Sequence, residues 1–183
     1  MELQTALRES MRTVPDFPKP GVLFKDITPV LQDPPLLARC IGEITGAYAD
    51  GGFDVVGGIE ARGFIFGSLV AHTTGKPFFP FRKAGKLPAR CLKASYALEY
   101  GTAEIEMHVD AFKPGERVLV VDDLLATGGT AAAAAKLVRE AGGHLAGTAF
   151  LIELPFLKGR ARLHEAGVAP ETIHSLIGFD AGE

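Results

Sequence analysis

Residues 118–130 read VLVVDDLLATGGT, and this stretch is the strongest indicator of the fold in the chain. Its first four residues are valine or leucine, a run that is too short for a helix and typical of a buried parallel strand. Asp122 and Asp123 follow at the carboxyl end of that strand, the edge where open α/β sheets bind their ligands. Two adjacent acids at that edge suit the vicinal hydroxyls of a sugar or a hydrated Mg²⁺.

The loop after the two acids contains small and hydroxylated residues. It consists of Ala126, Thr127, Gly128, Gly129 and Thr130, and a helix is predicted over about residues 129–142. Free backbone N–H groups and the positive end of the helix dipole would meet there, which predicts a site for a monophosphate. A capped turn without a ligand is the simpler alternative, but the complete thirteen-residue arrangement favours the phosphate site. The motif GxxxxGK[ST] is absent, which disfavours a P-loop kinase.

Composition indicates one enzyme-sized domain. With 183 residues, of which 47% are hydrophobic, the chain can bury a core without disulfides or metals. The net charge of −3 argues against general binding to nucleic acid. Cys40 and Cys91 have neither close pairing nor metal-ligand spacing, and the histidines form no HxxxH or HxH pattern. No apolar run resembles a signal peptide or a membrane span, so we expect a cytoplasmic protein.

Strand-like and helix-like segments alternate along the chain, which predicts an α/β fold with a mostly parallel central sheet flanked by helices. Helices are expected over residues 2–11, 33–50 with Asp33 as N-cap, 63–75, 129–142 and 158–165. Strands are expected over residues 54–59, 78–82, 118–121, 147–153 and 172–176, with a hairpin over 95–108. Residues 14–20 are expected to be irregular because prolines interrupt them, and residues 83–93 show no core periodicity.

Positive charge is concentrated just before the predicted hairpin. The segment 82–93 contains five cations and no acid: Arg82, Lys83, Lys86, Arg90 and Lys93. Such a run is either an ordinary solvated loop or a mobile clamp that closes over a polyanion. The neighbouring phosphate site favours the clamp.

A third informative stretch is GGIEARGFIFG at residues 57–67, where a predicted strand turns into a helix. Arg62 stands at the helix start and can place two N–H donors on pyrophosphate oxygens. The alternative is that Arg62 pairs with Glu60.

Five motifs together resemble the adenine phosphoribosyltransferases, which are type I phosphoribosyltransferases. They are DFPKPGVLFKDITP at 16–29, GGIEARGFIFG at 57–67, RKAGKLPAR at 82–90, ASYALEYGTAEIE at 94–106 and VLVVDDLLATGGT at 118–130. The resemblance covers about residues 14–160 and implies a single type I phosphoribosyltransferase domain over residues 1–183. It also implies an N-terminal hood over about residues 1–33, a flexible lid over about 82–108 and a homodimer.

By this resemblance the chain transfers phosphoribose from phosphoribosyl pyrophosphate to adenine, giving AMP and pyrophosphate in purine salvage. The ribose 5-phosphate would contact Asp122, Asp123, Ala126, Thr127, Gly128, Gly129 and Thr130. Pyrophosphate would contact Arg62, Arg82, Lys83 and Lys86, and adenine would contact Leu23, Phe24, Lys25 and Arg62. Mg²⁺ would be carried mainly by the substrate rather than by protein ligands.

Glu99 and Arg62 are the candidate catalytic residues. A carboxylate at Glu99 would share a proton with adenine N7, whereas Glu104 and Glu106 of the same hairpin are interpreted as ordinary solvated acids. The sequence departs from some relatives at Lys25, where they have arginine, and at Ala84, where they carry another basic residue. Pyrophosphate contacts would therefore depend more on Arg82 and Lys86.

Three other interpretations remain. One is a phosphoribosyltransferase for another base, which residues 16–29 disfavour. Another is a non-catalytic nucleotide sensor, which the presence of Glu99 and of the complete lid segment disfavours, and the third is a regulator that binds phosphoribosyl pyrophosphate without turnover. A regulator usually needs a DNA-binding module, for which there is no room before Phe53, and the chain has no overall basic excess.

Overall fold

The computed structural model describes residues 1–49, 52–97 and 102–183. Its helices are α1 Leu3–Ser10, α2 Thr28–Leu31, α3 Pro34–Gly46, α4 Gly63–Thr74, α5 Gly129–Glu140 and α6 Gly159–Glu165. Its strands are β1 Arg12–Pro15, β2 Leu23–Asp26, β3 Val55–Ile59, β4 Phe78–Lys83, β5 Cys91–Ala97, β6 Thr102–His108, β7 Arg117–Leu125, β8 His144–Glu153 and β9 Ile173–Gly178.

A seven-stranded sheet in the order β5-β6-β4-β3-β7-β8-β9 forms the centre of the described structure. The pairs β3–β4, β3–β7, β7–β8 and β8–β9 are parallel, whereas β4–β6 and β5–β6 are antiparallel. One core contains buried residues of α1, α3 and α4, and a second contains buried residues of α5 and α6. Helices therefore cover both faces of a mostly parallel sheet, which confirms the predicted fold class.

Several predicted boundaries are confirmed by local chemistry. The Asp33 carboxylate accepts a hydrogen bond of 3.0 Å from the Leu36 N–H, and Pro34 opens α3, as the capping pattern predicts. Helix α4 ends at Gly75, which adopts a left-handed conformation with φ of +64°. Helix α3 ends at Gly46, which is earlier than predicted.

The prediction of an irregular segment over residues 14–20 was wrong at its start. Val14 and Pro15 belong to β1, which pairs antiparallel with β2 in a separate two-stranded sheet. Val14 lies opposite Phe24 in that ladder. A proline is compatible with a strand of this kind because β1 has a partner on one side only.

Several strands are longer than the sequence suggested, and β5 and β7 show the reason. Strand β5 begins at Cys91, because it pairs with β6 from Cys91 opposite His108 onwards and buries Ala94 in the core. Strand β7 continues to Leu125, because the long β8 supplies a parallel partner as far as Glu153. Asp122 and Asp123 thus lie within β7, near its carboxyl end, rather than after it.

Candidate active site

The two acids of β7 face different surroundings because successive side chains of a strand point to opposite faces of the sheet. The Asp123 side chain is 7% exposed, and its Oδ2 lies 2.5 Å from Nε of Arg62. Arg62 lies in the turn between β3 and α4, immediately before the helix begins. Because β7 is the neighbour of β3 in the sheet, the guanidinium lies close to Asp123 of β7. The alternative pairing of Arg62 with Glu60 was wrong, since Glu60 pairs with Arg82 instead.

The other acid, Asp122, packs against the start of α4. Its Oδ1 accepts a hydrogen bond of 2.9 Å from the Asp123 N–H. A Cβ atom on Gly63 would lie 2.8 Å from the same oxygen, so only glycine permits this approach. Burial and the neighbouring Asp123 carboxylate raise the pKa of Asp122 well above its ordinary value. Asp123, by contrast, is paired with Arg62.

The predicted phosphate loop forms the turn from β7 into α5. Residues 126–130 line a small cavity of about 70 Å³ together with neighbours on β7 and α5. Gly128 precedes α5 with φ of +76°, no side chain caps this helix end, and its first turn contains no acid. The backbone N–H groups and the helix dipole thus leave an anion-compatible end, as the sequence predicts.

Residues of the predicted hood and residues of β7 line one pocket together. Leu23, Phe24 and Lys25 of β2 line a cavity of about 100 Å³ with Arg62 and Asp123. The guanidinium carbon of Arg62 lies 5.6 Å from the centroid of the Phe24 ring, which is a cation–π contact. The described structure therefore brings together the residues predicted for the base and the arginine predicted for pyrophosphate.

The ammonium group of Lys25 contacts Thr13 of β1 and Phe179, which follows β9. Its Nζ donates a hydrogen bond of 2.9 Å to Thr13 Oγ1 and lies 4.2 Å from the ring centroid of Phe179. Partial burial lowers the pKa of the Lys25 ammonium. Phe179 also carries the guanidinium of Arg8 and is 3% exposed. Sequence reasoning missed Phe179, because the recognised motifs end before it.

The cationic segment is tied to acids that lie outside it. Arg82 Nε donates a hydrogen bond of 3.1 Å to Glu60 Oε2, and the Lys83 N–H donates one of 3.0 Å to the same oxygen. The hydrogen bond from Arg82 lowers the pKa of Glu60. Arg82 also donates to the backbone carbonyl of Lys86 at 3.2 Å. Lys83 and Lys86 are exposed to solvent.

The interpretation of Glu106 as a solvated acid was wrong. It is 2% exposed, and its Oε1 accepts hydrogen bonds of 2.9 and 3.0 Å from the N–H groups of Lys86 and Leu87. The alternating sequence EIEM at residues 104–107 gave no signal of this burial, because it is also the pattern of a strand with one solvated face. Glu104 is exposed, as expected. Glu99 lies outside the described residues, so its role stays a prediction.

Metal ligands are sparse in the described ranges. No group of three or more histidine, cysteine, aspartate or glutamate side chains within them is arranged to hold a metal ion. Cys40 and Cys91 are free thiols. None of the helices in these ranges has the length and apolar character that crossing a bilayer requires.

Comparison with known proteins decides the family. The model of the phosphoribosyl transferase domain matches residues 28–175. A protein from Sorangium cellulosum named adenine phosphoribosyltransferase is 53% identical over 177 residues, which are 97% of this chain and 88% of that protein. The chain belongs to the adenine phosphoribosyltransferase family.

Solved structures of the family have the same fold. The adenine phosphoribosyltransferase from Rhodothermus marinus is 50% identical, with a TM-score of 0.90 over 97% of this chain and 98% of that one. The enzyme from Saccharomyces cerevisiae is 38% identical, with a TM-score of 0.88 over 96% of this chain and 98% of that one. The yeast structure contains adenine and an imino-altritol bisphosphate.

Proposed function

We propose that this chain transfers the 5-phosphoribosyl group of phosphoribosyl pyrophosphate to adenine, giving AMP and pyrophosphate in purine salvage. The observation that carries the proposal is the pocket that residues of the predicted hood share with Arg62 and Asp123. A base in that pocket lies beside the strand whose following loop is suited to the 5-phosphate. Membership of the family and the adenine held by the yeast relative support the same base.

The reaction forms a bond from adenine N9 to ribose C1 and breaks the bond from C1 to the pyrophosphate oxygen. Positive charge develops on the sugar while negative charge develops on the leaving group. Catalysis therefore depends on holding the reactants in line and on stabilising the departing charge. In our proposal Arg62, Arg82, Lys83 and Lys86 bind pyrophosphate, and Asp122 and Asp123 face the ribose.

The ion pair between Arg62 and Asp123 fits this role because one substrate can satisfy both partners. The pyrophosphate is an acceptor for the guanidinium, and the ribose hydroxyls are donors for the carboxylate. The Arg62 side chain is 43% exposed, whereas that of Asp123 is 7% exposed, so the arginine is the partner that can turn toward a ligand. We expect substrate binding to exchange this pair for two sets of contacts with the substrate.

We propose that residues 1–33 form the hood over adenine and that residues 82–108 form a lid over pyrophosphate, within one domain of residues 1–183. Strand β6 of the lid pairs with β4, and β5 pairs with β6. Ala94, Ile105 and Met107 of these two strands belong to the core. The turn between β4 and β5 is the part of this segment in which exposed residues predominate. In our proposal this turn therefore presents Lys86 to pyrophosphate.

Proton transfer is assigned to Glu99. Adenine loses the N9 proton as the new bond forms, and a carboxylate that shares a proton at N7 assists this loss. The family resemblance at residues 94–106 supports the assignment. Discrimination against hypoxanthine is expected from backbone carbonyls of the hood, because they accept a hydrogen bond from the 6-amino group and not from a 6-oxo group.

The donor set suits a hydrated Mg²⁺ that the substrate carries. Mg²⁺ usually binds through one or two carboxylates plus substrate phosphates, and the cleft offers Asp122 and Asp123. Asp123 is engaged by Arg62, and burial together with the neighbouring carboxylate raises the pKa of Asp122, which fits a Mg²⁺ that the substrate rather than the protein carries. When bound, Mg²⁺ would help to neutralise the pyrophosphate charge. We further propose a cytoplasmic homodimer, for which a two-fold pair is the default symmetry.

A competition assay tests the proposal. Purified protein is incubated with Mg²⁺, phosphoribosyl pyrophosphate and an equimolar mixture of adenine, hypoxanthine, guanine, xanthine and orotate, and the nucleotides are identified by mass spectrometry. We expect AMP alone. Another nucleotide would overturn the assignment of the base. Tight binding of phosphoribosyl pyrophosphate without any nucleotide would favour the regulator.

A further inference from the structure

Glu106 is a buried acid beneath the most cationic turn of the chain. It lies on β6 opposite Arg82 of β4 and Lys93 of β5. One oxygen, Oε1, accepts the N–H groups of both Lys86 and Leu87 at 2.9 and 3.0 Å. The other oxygen, Oε2, lies 3.7 Å from Nζ of Lys93. Both carboxylate oxygens therefore have partners from the cationic segment.

The backbone of Lys86 is held from two sides. Its N–H is bound by Glu106, and its carbonyl accepts a hydrogen bond of 3.2 Å from Arg82. Arg82 is itself paired with Glu60 on the turn after β3. Because Lys86 is exposed while its peptide groups are fixed, the turn presents a lysine whose backbone has little freedom to move.

This arrangement is not required for core packing. Burying a carboxylate costs free energy unless hydrogen bonds and a counter-charge satisfy it, and an apolar residue between Ile105 and Met107 would avoid that cost. Backbone hydrogen bonds from the turn compensate for burial and keep the pKa of Glu106 low. The carboxylate is useful here because one of its oxygens accepts two successive backbone N–H groups of the turn.

We propose that Glu106 is a positioning residue for pyrophosphate recognition, whose carboxylate fixes the backbone of Lys86 and Leu87 so that the lysine meets the leaving group. The proposal rests on the proposed function, because it assumes that Arg82 and Lys86 bind pyrophosphate. Glu106 does not itself touch the substrate. Its loss should therefore raise the KM for phosphoribosyl pyrophosphate without a matching loss of kcat or of adenine affinity.

Two conservative variants separate reach from charge. Glu106→Gln keeps an oxygen at the same reach that can accept both N–H groups, but it removes the charge. Glu106→Asp keeps the charge, but the side chain is one methylene shorter and cannot meet both N–H groups in the same position. We expect Glu106→Asp to raise the KM for phosphoribosyl pyrophosphate about tenfold, as loss of one hydrogen bond to a charged group predicts, and Glu106→Gln to raise it less than about threefold.

The control and a direct readout complete the test. Glu104→Asp and Glu104→Gln alter an exposed acid on the same strand, and both should keep wild-type KM values. Amide hydrogen exchange at Lys86 and Leu87 should be slow in the wild type and in Glu106→Gln but faster in Glu106→Asp. This readout remains informative for any variant that is folded but poorly active.

Three results would overturn the inference. The first is a wild-type KM for phosphoribosyl pyrophosphate in Glu106→Asp, and the second is a larger rise of that KM in Glu106→Gln than in Glu106→Asp. The third is a fall of kcat that equals in size the rises of the KM values for phosphoribosyl pyrophosphate and for adenine. Failure of the proposed function is distinguishable, because the wild-type protein would then make no AMP from adenine. If the wild type makes AMP and Glu106→Asp behaves like it, only the role of Glu106 is wrong.

Discussion

Replacing Gly128 by alanine tests how the phosphate loop is built. Gly128 has a φ of +76°, and a Cβ atom there would lie 2.6 Å from the carbonyl oxygen and 3.1 Å from Cα of Gly159. The left-handed conformation costs an L-residue about 1–2 kcal/mol. The overlap adds about 1–3 kcal/mol, because the obstructing atoms are backbone atoms of α6 that cannot rotate away. The free energy of unfolding should therefore fall by about 2–5 kcal/mol.

Gly115 provides a matched control. Its φ is +86°, but nothing lies within 4 Å of a Cβ placed on it, so alanine there meets the conformational cost alone. Urea unfolding should show a loss of about 1–2 kcal/mol for Gly115→Ala. Steady-state kinetics should show a raised KM for phosphoribosyl pyrophosphate in Gly128→Ala only. Equal losses of stability in the two variants, with equal KM values, would refute the packing of the loop against α6.

Three further changes test the proposed chemistry. Glu99→Gln should lower kcat about 10²- to 10⁴-fold in the AMP-forming assay, because it removes acid–base assistance, and an unchanged kcat would exclude that role. Asp122→Asn is tested by urea unfolding at several pH values. The free energy of unfolding of the wild type should fall relative to that of Asp122→Asn as the pH rises above about 4, because the native Asp122 carboxyl keeps a proton that the unfolded chain releases. A difference that does not change with pH would show that the pKa of Asp122 is ordinary. Arg62→Lys should raise the KM for phosphoribosyl pyrophosphate at least about tenfold, because lysine keeps the charge but loses the forked donors, and a wild-type KM would contradict direct contact.

Local patterns in the sequence predicted much of the fold. The apolar run before Asp122, the cap at Asp33 and the glycine after α4 each act over a few residues, and the structure has the corresponding elements. The boundaries that were wrong depend on partners far along the chain. Strand β1 exists because β2 pairs with it, and the extension of β7 needs the length of β8.

In the candidate site, too, local sequence predicted some features, and others depend on distant parts of the chain. Motifs predicted the site residues, and the structure brings Leu23, Phe24 and Lys25 of the predicted hood into one pocket with Asp123. The partners of the charged side chains were less predictable, since Arg62 pairs with Asp123 rather than with the nearby Glu60. Sequence distance is a poor guide here, because parallel strands place their carboxyl ends side by side although long segments separate them.

The amino-acid sequence predicted the fold class from periodicity, and contiguous motifs predicted the family and its reaction through their resemblance to known members. Folding in three dimensions was needed to assign the burial of Glu106, the contact of Lys25 with Phe179 and the raised pKa of Asp122. Each of these depends on removal from water and on charges that distant segments supply. Burial and electrostatic coupling are properties of the packed chain, so a motif does not contain them.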